Sequence, residues 1–225
     1  MSRSPSPPAS NDAVVAAYDR LAVPYDRVIA PLEAGTRRLA IDRLEVEAGE
    51  RVLEVGCGPG HALVPLAERV GPDGAVIGLD AAPRMLARAR RRVERSAGAG
   101  WTDLVLGDAR SLPVPDDAVD VVFVEDTLEL FSPEEIATVL ADCVRVLDTD
   151  GRLGVVTMER AGAEDDRFVR VYEWLFEHVP GYDRIGCRPI YARRALENGG
   201  FEVTHRERRR RGYVWPTEIL IARPA

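Results

Sequence analysis

The sequence contains no lysine and no glutamine, and each of its 30 basic residues is an arginine. Without lysine the chain cannot form a P-loop, whose lysine contacts the bound phosphates. Cys57, Cys143 and Cys187 lie far apart, so their spacing matches neither a metal site nor a disulfide framework and favours a reducing, cytoplasmic setting. No apolar run approaches the ~20 residues that a membrane-spanning helix needs.

The remaining composition indicates one domain with a sizeable core. The chain has 225 residues, of which 46% are hydrophobic, and we assign residues 11–225 to a single domain. A net charge of −7 and a pI near 5.2 argue against a general nucleic-acid binder. Residues 1–10 are rich in serine and proline without an apolar core, which predicts a disordered tail rather than a signal peptide.

Residues 52–60 read VLEVGCGPG, a short apolar run that ends in an acid and then in three glycines spaced two apart. A helical pattern follows, and Pro65 fits it only in the first turn, where amide donors have no partner in the helix. Strand, glycine turn and helix together predict a doubly wound α/β domain with its site beyond the carboxyl ends of the strands. The spacing G-x-G-x-G differs from the phosphate-binding patterns. Glu54 would repel a pyrophosphate but suits a cofactor with a cationic amine, which disfavours an NAD-dependent oxidoreductase.

Residues 54–60 resemble motif I of the class I S-adenosylmethionine-dependent methyltransferases, and the chain looks most like the ubiquinone/menaquinone-biosynthesis methyltransferase-like group. The resemblance covers about two thirds of the chain and extends more loosely to its end. It implies a Rossmann-like, mostly parallel sheet of seven strands in the order 3-2-1-4-5-7-6, with helices on both faces. It also implies S-adenosyl-L-methionine as cofactor, with Glu54, Gly56, Cys57, Gly58 and Gly60 among the residues that bind it.

The second predicted strand, residues 75–80, ends in Asp80, one βα unit after the glycine turn. A carboxylate there can accept both hydroxyls of a ribose, so Asp80 and the neighbouring Ala81 are candidate cofactor residues. The alternative is that Asp80 caps the next helix, because Pro83 suits a first turn. We expect that helix over residues 83–95, with Met85 on its inner face. Met85 either contacts the adenine, as the resemblance implies, or belongs only to the core.

The third predicted strand, residues 104–109, again brings an acid to this edge. In relatives the residue that matches Asp108 accepts the adenine amino group beside the backbone amide that matches Ala109. The fourth strand, residues 119–125, ends in Glu125, a further candidate, and residues 126–131 follow it at the switch point of this topology. A capping box at Ser132 predicts the next helix, and we expect the fifth strand over residues 153–158.

Two further segments flank this pattern. Residues 11–48 are expected to form an N-terminal helical cap, broken at Pro24 and Pro31, in which Tyr25 closes over the cofactor or simply packs a helix on the sheet. Residues 161–187 carry an apolar stripe of Phe168, Val171, Tyr172, Leu175 and Val179, which suits either a lid over an apolar substrate or an ordinary packed helix.

The basic cluster at residues 206–211 is expected to be a solvated hairpin tip, although contact with anionic lipid or RNA is the alternative. Residues 201–210 and 212–223 are expected to form a closing pair of strands.

The sequence singles out no catalytic residue. Asp126, Glu129, His61 and His178 are the polar candidates near the expected site, and none stands in a diagnostic motif. The main hypothesis is methyl transfer to a small or lipid-like acceptor, such as a quinone precursor, on carbon or oxygen, by a monomer or homodimer that can touch a membrane surface. A tRNA or protein methyltransferase and a non-catalytic cofactor-binding scaffold are the alternatives, and no metal is expected.

Overall fold

A computed structural model describes residues 15–17, 30–160, 162, 166–179, 188–211 and 215–225. The expected tail, Tyr25, Pro24 and parts of the 161–187 segment lie outside the described residues. The sheet has the order β3-β2-β1-β4-β5-β7-β6, which confirms the prediction. Its strands are β1 (Arg51–Val55), β2 (Ala75–Asp80), β3 (Thr102–Leu106), β4 (Val119–Glu125), β5 (Leu147–Met158), β6 (Phe201–Arg211) and β7 (Trp215–Pro224).

The first five strands pair in parallel, and β7 runs antiparallel to both of its neighbours. The carboxyl ends of β1, β2, β3 and β4 therefore meet at one edge of the sheet. The helices are α1 (Ala30–Leu44), α2 (Leu63–Val70), α3 (Pro83–Val93), α4 (Pro133–Val146), α5 (Arg167–His178) and α6 (Ala192–Asn198). Short 3-10 turns cover Ala97–Trp101 and Leu128–Leu130, and residues 15–17 are helical. Each described helix is too short or too polar to cross a bilayer.

Local sequence signals explain where the helices begin. Pro65 lies in the first turn of α2, as its missing N–H requires. At α4 the Ser132 side chain accepts the Glu135 N–H and the Glu135 side chain accepts the Ser132 N–H, which is the predicted capping box. Pro31 lies in the first turn of α1, where N–H donors need no partner within the helix.

The sheet is buried on both faces. One core cluster joins α4 and α6 to the sheet through residues such as Val122 and Leu140, and the other joins α1 and α2 through Leu44, Leu66 and Phe123. Burying one such side chain contributes about 1.5–3 kcal/mol. The two cores hold the strands rigidly and leave the carboxyl edge to the connecting loops.

Two of the parallel strands differ from the prediction at their ends. β3 runs from Thr102 to Leu106 rather than over 104–109, so Gly107, Asp108 and Ala109 belong to the following loop. β5 begins at Leu147 rather than at 153, directly after α4, because Leu147 pairs with Val119 across a register shift in β4. Asp150–Gly151 therefore lies within the strand, although the sequence reads as a turn.

The expected apolar stripe of α5 is partly wrong. Val169 and Tyr172 are buried, whereas Val171 and Val179 are exposed. The buried face of the helix carries Val169 and Tyr172. Phe168 lies next to this face, and the centre of its ring is 5.5 Å from that of Trp215 on β7. Helical spacing alone did not distinguish these two faces, because α5 has apolar residues on both.

The expectation of a solvated hairpin tip at residues 206–211 is also wrong for Arg206 and Arg211, the first and last residues of this range. Arg206 bonds Glu218 at 2.8 Å across the β6–β7 pair. Arg211 is 7% exposed and pairs with Asp126 beyond the end of β4. These two arginines therefore pair with acids of neighbouring strands and loops, whereas Arg208, Arg209 and Arg210 are exposed.

Candidate active site

The glycine turn between β1 and α2 depends on three residues with positive φ. These angles are 74° at Gly56, 52° at Gly58 and 79° at Gly60. The Gly56 and Cys57 N–H groups both donate to the Leu79 carbonyl at the end of β2, at 2.8 and 2.9 Å. A Cβ on Gly56 would lie 2.1 Å from Oγ1 of Thr127, so the loop after β4 packs directly on the turn. Only glycine allows both this conformation and this close approach.

Asp80 fixes the turn from the neighbouring strand. One carboxylate oxygen accepts the Gly58 N–H and the other accepts the Ala82 N–H, each at 2.7 Å. The alternative reading, in which Asp80 is the N-cap of the next helix, is wrong, because Ala82 is the N-cap of α3 and Asp80 accepts the Ala82 backbone N–H instead. A carboxylate has about four acceptor positions, so these two hydrogen bonds alone do not use its full capacity.

A cleft at the carboxyl edge brings seven of the predicted residues together. It encloses about 720 Å³ of space, part of it open to solvent. The predicted residues in its wall are Gly56, Gly58, Asp80, Ala81, Met85, Asp108 and Ala109. The other described wall residues are Val15, Pro59, Leu79, Ala82, Gly107, Thr127, Leu130 and Phe131.

Met85 and Phe131 supply apolar parts of the cleft wall. Met85 is 2% exposed and packs with Ala82, so it belongs to a small core cluster and lines the cleft as well. Phe131 is 8% exposed and closes the side nearest β4. Thr127, Leu130 and Phe131 were not predicted individually, but their segment was expected to face the site because it follows β4. Val15 carried no sequence signal of its own.

Asp108 lies at the far end of the cleft and is engaged by Arg110. The Arg110 backbone N–H donates to Asp108 at 2.9 Å, and its guanidinium donates at 2.6 Å. These hydrogen bonds lower the pKa of Asp108 more than burial raises it. Arg110 also bonds Glu135 at the start of α4, at 2.6 Å. Asp108 is therefore an ionised acceptor held in place, with Ala109 buried beside it.

Cys57 and Gly60 contribute to packing rather than to the wall of the cleft. The Cys57 side chain is 4% exposed within the core that includes Leu63 and Val76, and burial is the main cause that raises its thiol pKa. A Cβ on Gly60 would lie 3.0 Å from the Ala89 backbone, so this glycine lets α3 approach the turn.

Glu54 lies just below the turn, in the middle of the sheet. It pairs in register with Gly78 on β2 and Phe123 on β4, and it is 3% exposed. Its Oε2 atom has no hydrogen-bond partner among the described residues. Burial, reinforced by Glu125, raises the pKa of this carboxyl well above its usual value. A buried acid in this state has a strong electrostatic reason to accept a donor or a cation.

Glu125 belongs to a buried ion-pair cluster of Glu33, Arg37, Glu125, Asp126 and Arg211. Arg37 donates to Glu125 at 2.5 Å and to Glu33 at 3.0 Å. Arg211 donates to Asp126, which has a φ of 50°. Burial, with the Asp126 and Glu125 charges, raises the pKa of Glu33 to about 7. The three acids come within 4.8 Å of one another. The two arginines bind them, and the cluster ties α1 and β6 to the end of β4.

None of the four polar candidates lines the described cleft. Glu129 is 1% exposed and accepts the Thr157 hydroxyl at 2.8 Å, and burial raises its pKa to about 8. Asp126 is bound by Arg211. His178 is exposed on α5 and stacks on Trp174. His61 lies in the turn before α2 and makes polar contacts of its own.

Comparison with known proteins agrees with this architecture. A methyltransferase domain family matches residues 52–151. The aklanonic acid methyltransferase DauC of Streptomyces sp. is 34% identical over 172 residues, which cover 74% of this chain and 77% of the relative. The 2-phytyl-1,4-naphtoquinone methyltransferase of Synechococcus elongatus is 35% identical, over 66% of this chain and 65% of the relative.

Nocamycin O-methyltransferase of Saccharothrix syringae is 37% identical over 139 residues, or 61% of this chain. The chain spans 48% of that relative's length. Among solved structures, the magnesium protoporphyrin IX methyltransferase of Synechocystis, with bound S-adenosylhomocysteine, superposes with a TM-score of 0.68. It is 20% identical, and the match covers 88% of this chain and 85% of that chain.

A methyltransferase structure from Aquifex aeolicus superposes with a TM-score of 0.65 at 20% identity, over 92% of this chain and 97% of that chain. These two structures support the fold, and the DauC match over most of both chains carries the family assignment. Sheet order, glycine turn and relatives agree, and the chain belongs to the class I S-adenosylmethionine-dependent methyltransferases.

Proposed function

We propose that this protein transfers a methyl group from S-adenosylmethionine to a small aromatic acceptor. The cleft beside the glycine turn carries the proposal, because it gathers Gly56, Gly58, Asp80 and Asp108 at the carboxyl ends of β1, β2 and β3. Two relatives support the acceptor class by name, since one is a 2-phytyl-1,4-naphtoquinone methyltransferase and the other an aklanonic acid methyltransferase. A quinone precursor remains the specific candidate.

The donors and acceptors in the cleft fit the proposed cofactor. Asp80 offers carboxylate oxygens to ribose hydroxyls, and Asp108 with the Ala109 amide suits the adenine edge. Met85 and Phe131 supply apolar walls for the flat base. Glu54 lies beneath the turn, outside the described wall of the cleft; its Oε2 atom has no partner among the described residues and suits the amine of an amino-acid group. Tyr25 stays a prediction.

When bound, the cofactor supplies an electrophilic methyl group on a sulfonium. The chain's own contribution is then mainly orientation, which contributes up to about 7–11 kcal/mol in well-aligned reactions. The rigid sheet, the Asp80 bonds to the turn and the packing of Thr127 against Gly56 hold the binding groups in place. No described side chain is assigned as a general base, and an acceptor that is already ionised needs none.

We also propose that the segment 161–187 acts as a lid over the acceptor. Its described part, α5, is attached through the Phe168–Trp215 contact and the ion pair of Asp166 with Arg210, at 2.5 Å. Most of its remaining surface is exposed, with Trp174 at 55%. Replacing the segment by a short glycine-serine linker should spare cofactor binding and abolish turnover. Loss of both would show that the segment is part of the core.

Three further features belong to the proposal. Residues 11–48 form a cap over the site, of which α1 is the described part. The cysteine pattern favours action in the cytoplasm. The protein works as a monomer or homodimer.

The test is transfer of radiolabelled methyl groups from S-adenosylmethionine to aromatic acceptors. The panel contains naphthoquinols, simple phenols and hydroxylated anthraquinone acids, with transfer RNA and bulk protein as comparison substrates. Label in an aromatic product, but not in RNA or protein, is the expected result. Cofactor binding without label in any product would favour the non-catalytic scaffold instead.

A further inference from the structure

A second groove lies next to the cofactor cleft and shares one wall with it. It runs between the start of α4 and the segment 188–198, and encloses about 1560 Å³ of space, part of it open to solvent. Phe131 lines both the groove and the cleft. The groove therefore opens beside the site, near the carboxyl ends of β4 and β5, on the side away from Asp80.

The groove is strongly cationic in an acidic protein. Arg160, Arg188 and Arg194 line it, against a single acidic wall residue, Glu134, among those described. The chain as a whole carries a net charge of −7. Arg160 is itself paired with Glu173, so the positive field of the groove comes mainly from Arg188 and Arg194 against Glu134. Such a field attracts anions, and arginine suits the flat geometry of a carboxylate.

Hydrogen bonds and an ion pair hold the residues of the groove wall in place. The Arg160 N–H donates to the Ile190 carbonyl at 3.1 Å, which ties the segment to the end of β5. The Arg160 guanidinium pairs with Glu173 on α5 at 2.6 Å and lies 5.5 Å from the centre of the Tyr191 ring. These contacts fix Arg160 in the wall of the groove, whereas the Arg194 side chain is exposed on α6.

Arg188 lies in the wall of the groove, close to the like charge of Arg160. It is partly buried, and burial lowers its guanidinium pKa, with the charge of Arg160 as the second cause. Pro189 follows it and restricts its backbone to extended conformations, so the side chain is presented from a fixed position. An anion in the groove would relieve both unfavourable effects.

We propose that this groove holds the acceptor and that Arg188 and Arg194 bind a carboxylate on it, while Phe131 and Tyr191 contact its aromatic body. This inference rests on the proposed function and narrows its acceptor to aromatic acids. An aromatic ring against Phe131 would lie at the wall shared with the cofactor cleft, which is where a methyl acceptor must be. The carboxylate would then be an anchor at the far side of the ring.

Calorimetric titration with two ligands that share one ring system tests the inference. The ligands are 2-naphthoate and its neutral analogue 2-naphthalenemethanol, each added to protein saturated with S-adenosylhomocysteine. Hydrogen bonds to charged groups lead us to expect binding of the acid about 10- to 100-fold tighter than the alcohol. Arg188→Gln and Arg194→Gln should each remove most of that preference.

Arg193→Gln is the matched control. Arg193 is exposed on the same helix as Arg194 and pairs with Glu197 at 2.8 Å. It should keep the full preference, and all variants should bind S-adenosylhomocysteine as the wild type does. Equal binding of acid and alcohol, absence of binding by both, or a preference that survives both groove substitutions would overturn the inference. Failure of the wild type to bind S-adenosylhomocysteine would instead count against the proposed function.

Discussion

Replacing Asp80 by asparagine should weaken cofactor binding and loosen the glycine turn. In the structure the two carboxylate oxygens accept the Gly58 and Ala82 N–H groups, each at 2.7 Å. An amide keeps a single acceptor oxygen, so in either orientation one N–H faces an NH₂ group. A hydrogen bond to a charged group contributes about 1.5–3 kcal/mol. The free energy of unfolding should fall by about this amount in a urea titration.

Cofactor affinity should fall separately, because the ribose hydroxyls would lose an ionised acceptor. The same ~1.5–3 kcal/mol corresponds to about 10- to 100-fold weaker binding of S-adenosylhomocysteine by calorimetry. Asp73→Asn, in the exposed turn before β2, is the control and should change neither quantity. Loss of stability with unchanged affinity would refute the argument, since Asp80 would then serve the turn alone.

Three further substitutions test neighbouring parts of the site. Gly56→Ala should destabilise the fold by about 1–3 kcal/mol in urea, since its Cβ would lie 2.1 Å from Oγ1 of Thr127. Adding Thr127→Ala removes Oγ1 and Cγ2 and should recover part of that loss; no recovery would show that contact with these two atoms is not its cause. Glu54→Gln should weaken binding of S-adenosylmethionine more than binding of adenosine, and equal losses would show that Glu54 does not serve the amino-acid end. Burial raises the carboxyl pKa of Glu129 to about 8. The folded state therefore holds a proton that the unfolded chain releases from about pH 4.5 upwards. As a result, the free energy of unfolding falls as the pH rises towards 8. The gain in stability of Glu129→Gln over the wild type should therefore grow between pH 5 and pH 8, and a gain independent of pH would contradict the shift.

Much of the fold could be predicted because its signals are local. The bounds of β2 and β4 match the prediction, since each is an apolar run that ends in an acid. The capping box of α4 and the first-turn position of Pro65 follow from the missing or exposed N–H groups at helix starts. The order of the strands came from the family resemblance and is confirmed.

The errors arose where distant parts of the chain decide the outcome. Leu147 extends β5 because it finds a partner in Val119. Arg211 is buried because it pairs with Glu125 and Asp126 at the end of β4, which lie far from it in the sequence. Periodicity could not decide which face of α5 meets Trp215. Likewise the contact of Thr127 with Gly56 depends on the relative placement of β1 and β4, which no short pattern encodes.

Titration of the purified protein with S-adenosylmethionine, S-adenosylhomocysteine and NAD, side by side in a calorimeter, tests the central claim most directly. We expect the first two to bind and NAD not to bind, because Glu54 lies buried beneath the turn where a pyrophosphate would sit. Binding of NAD alone, or of none of the three, would contradict the assignment of the cleft.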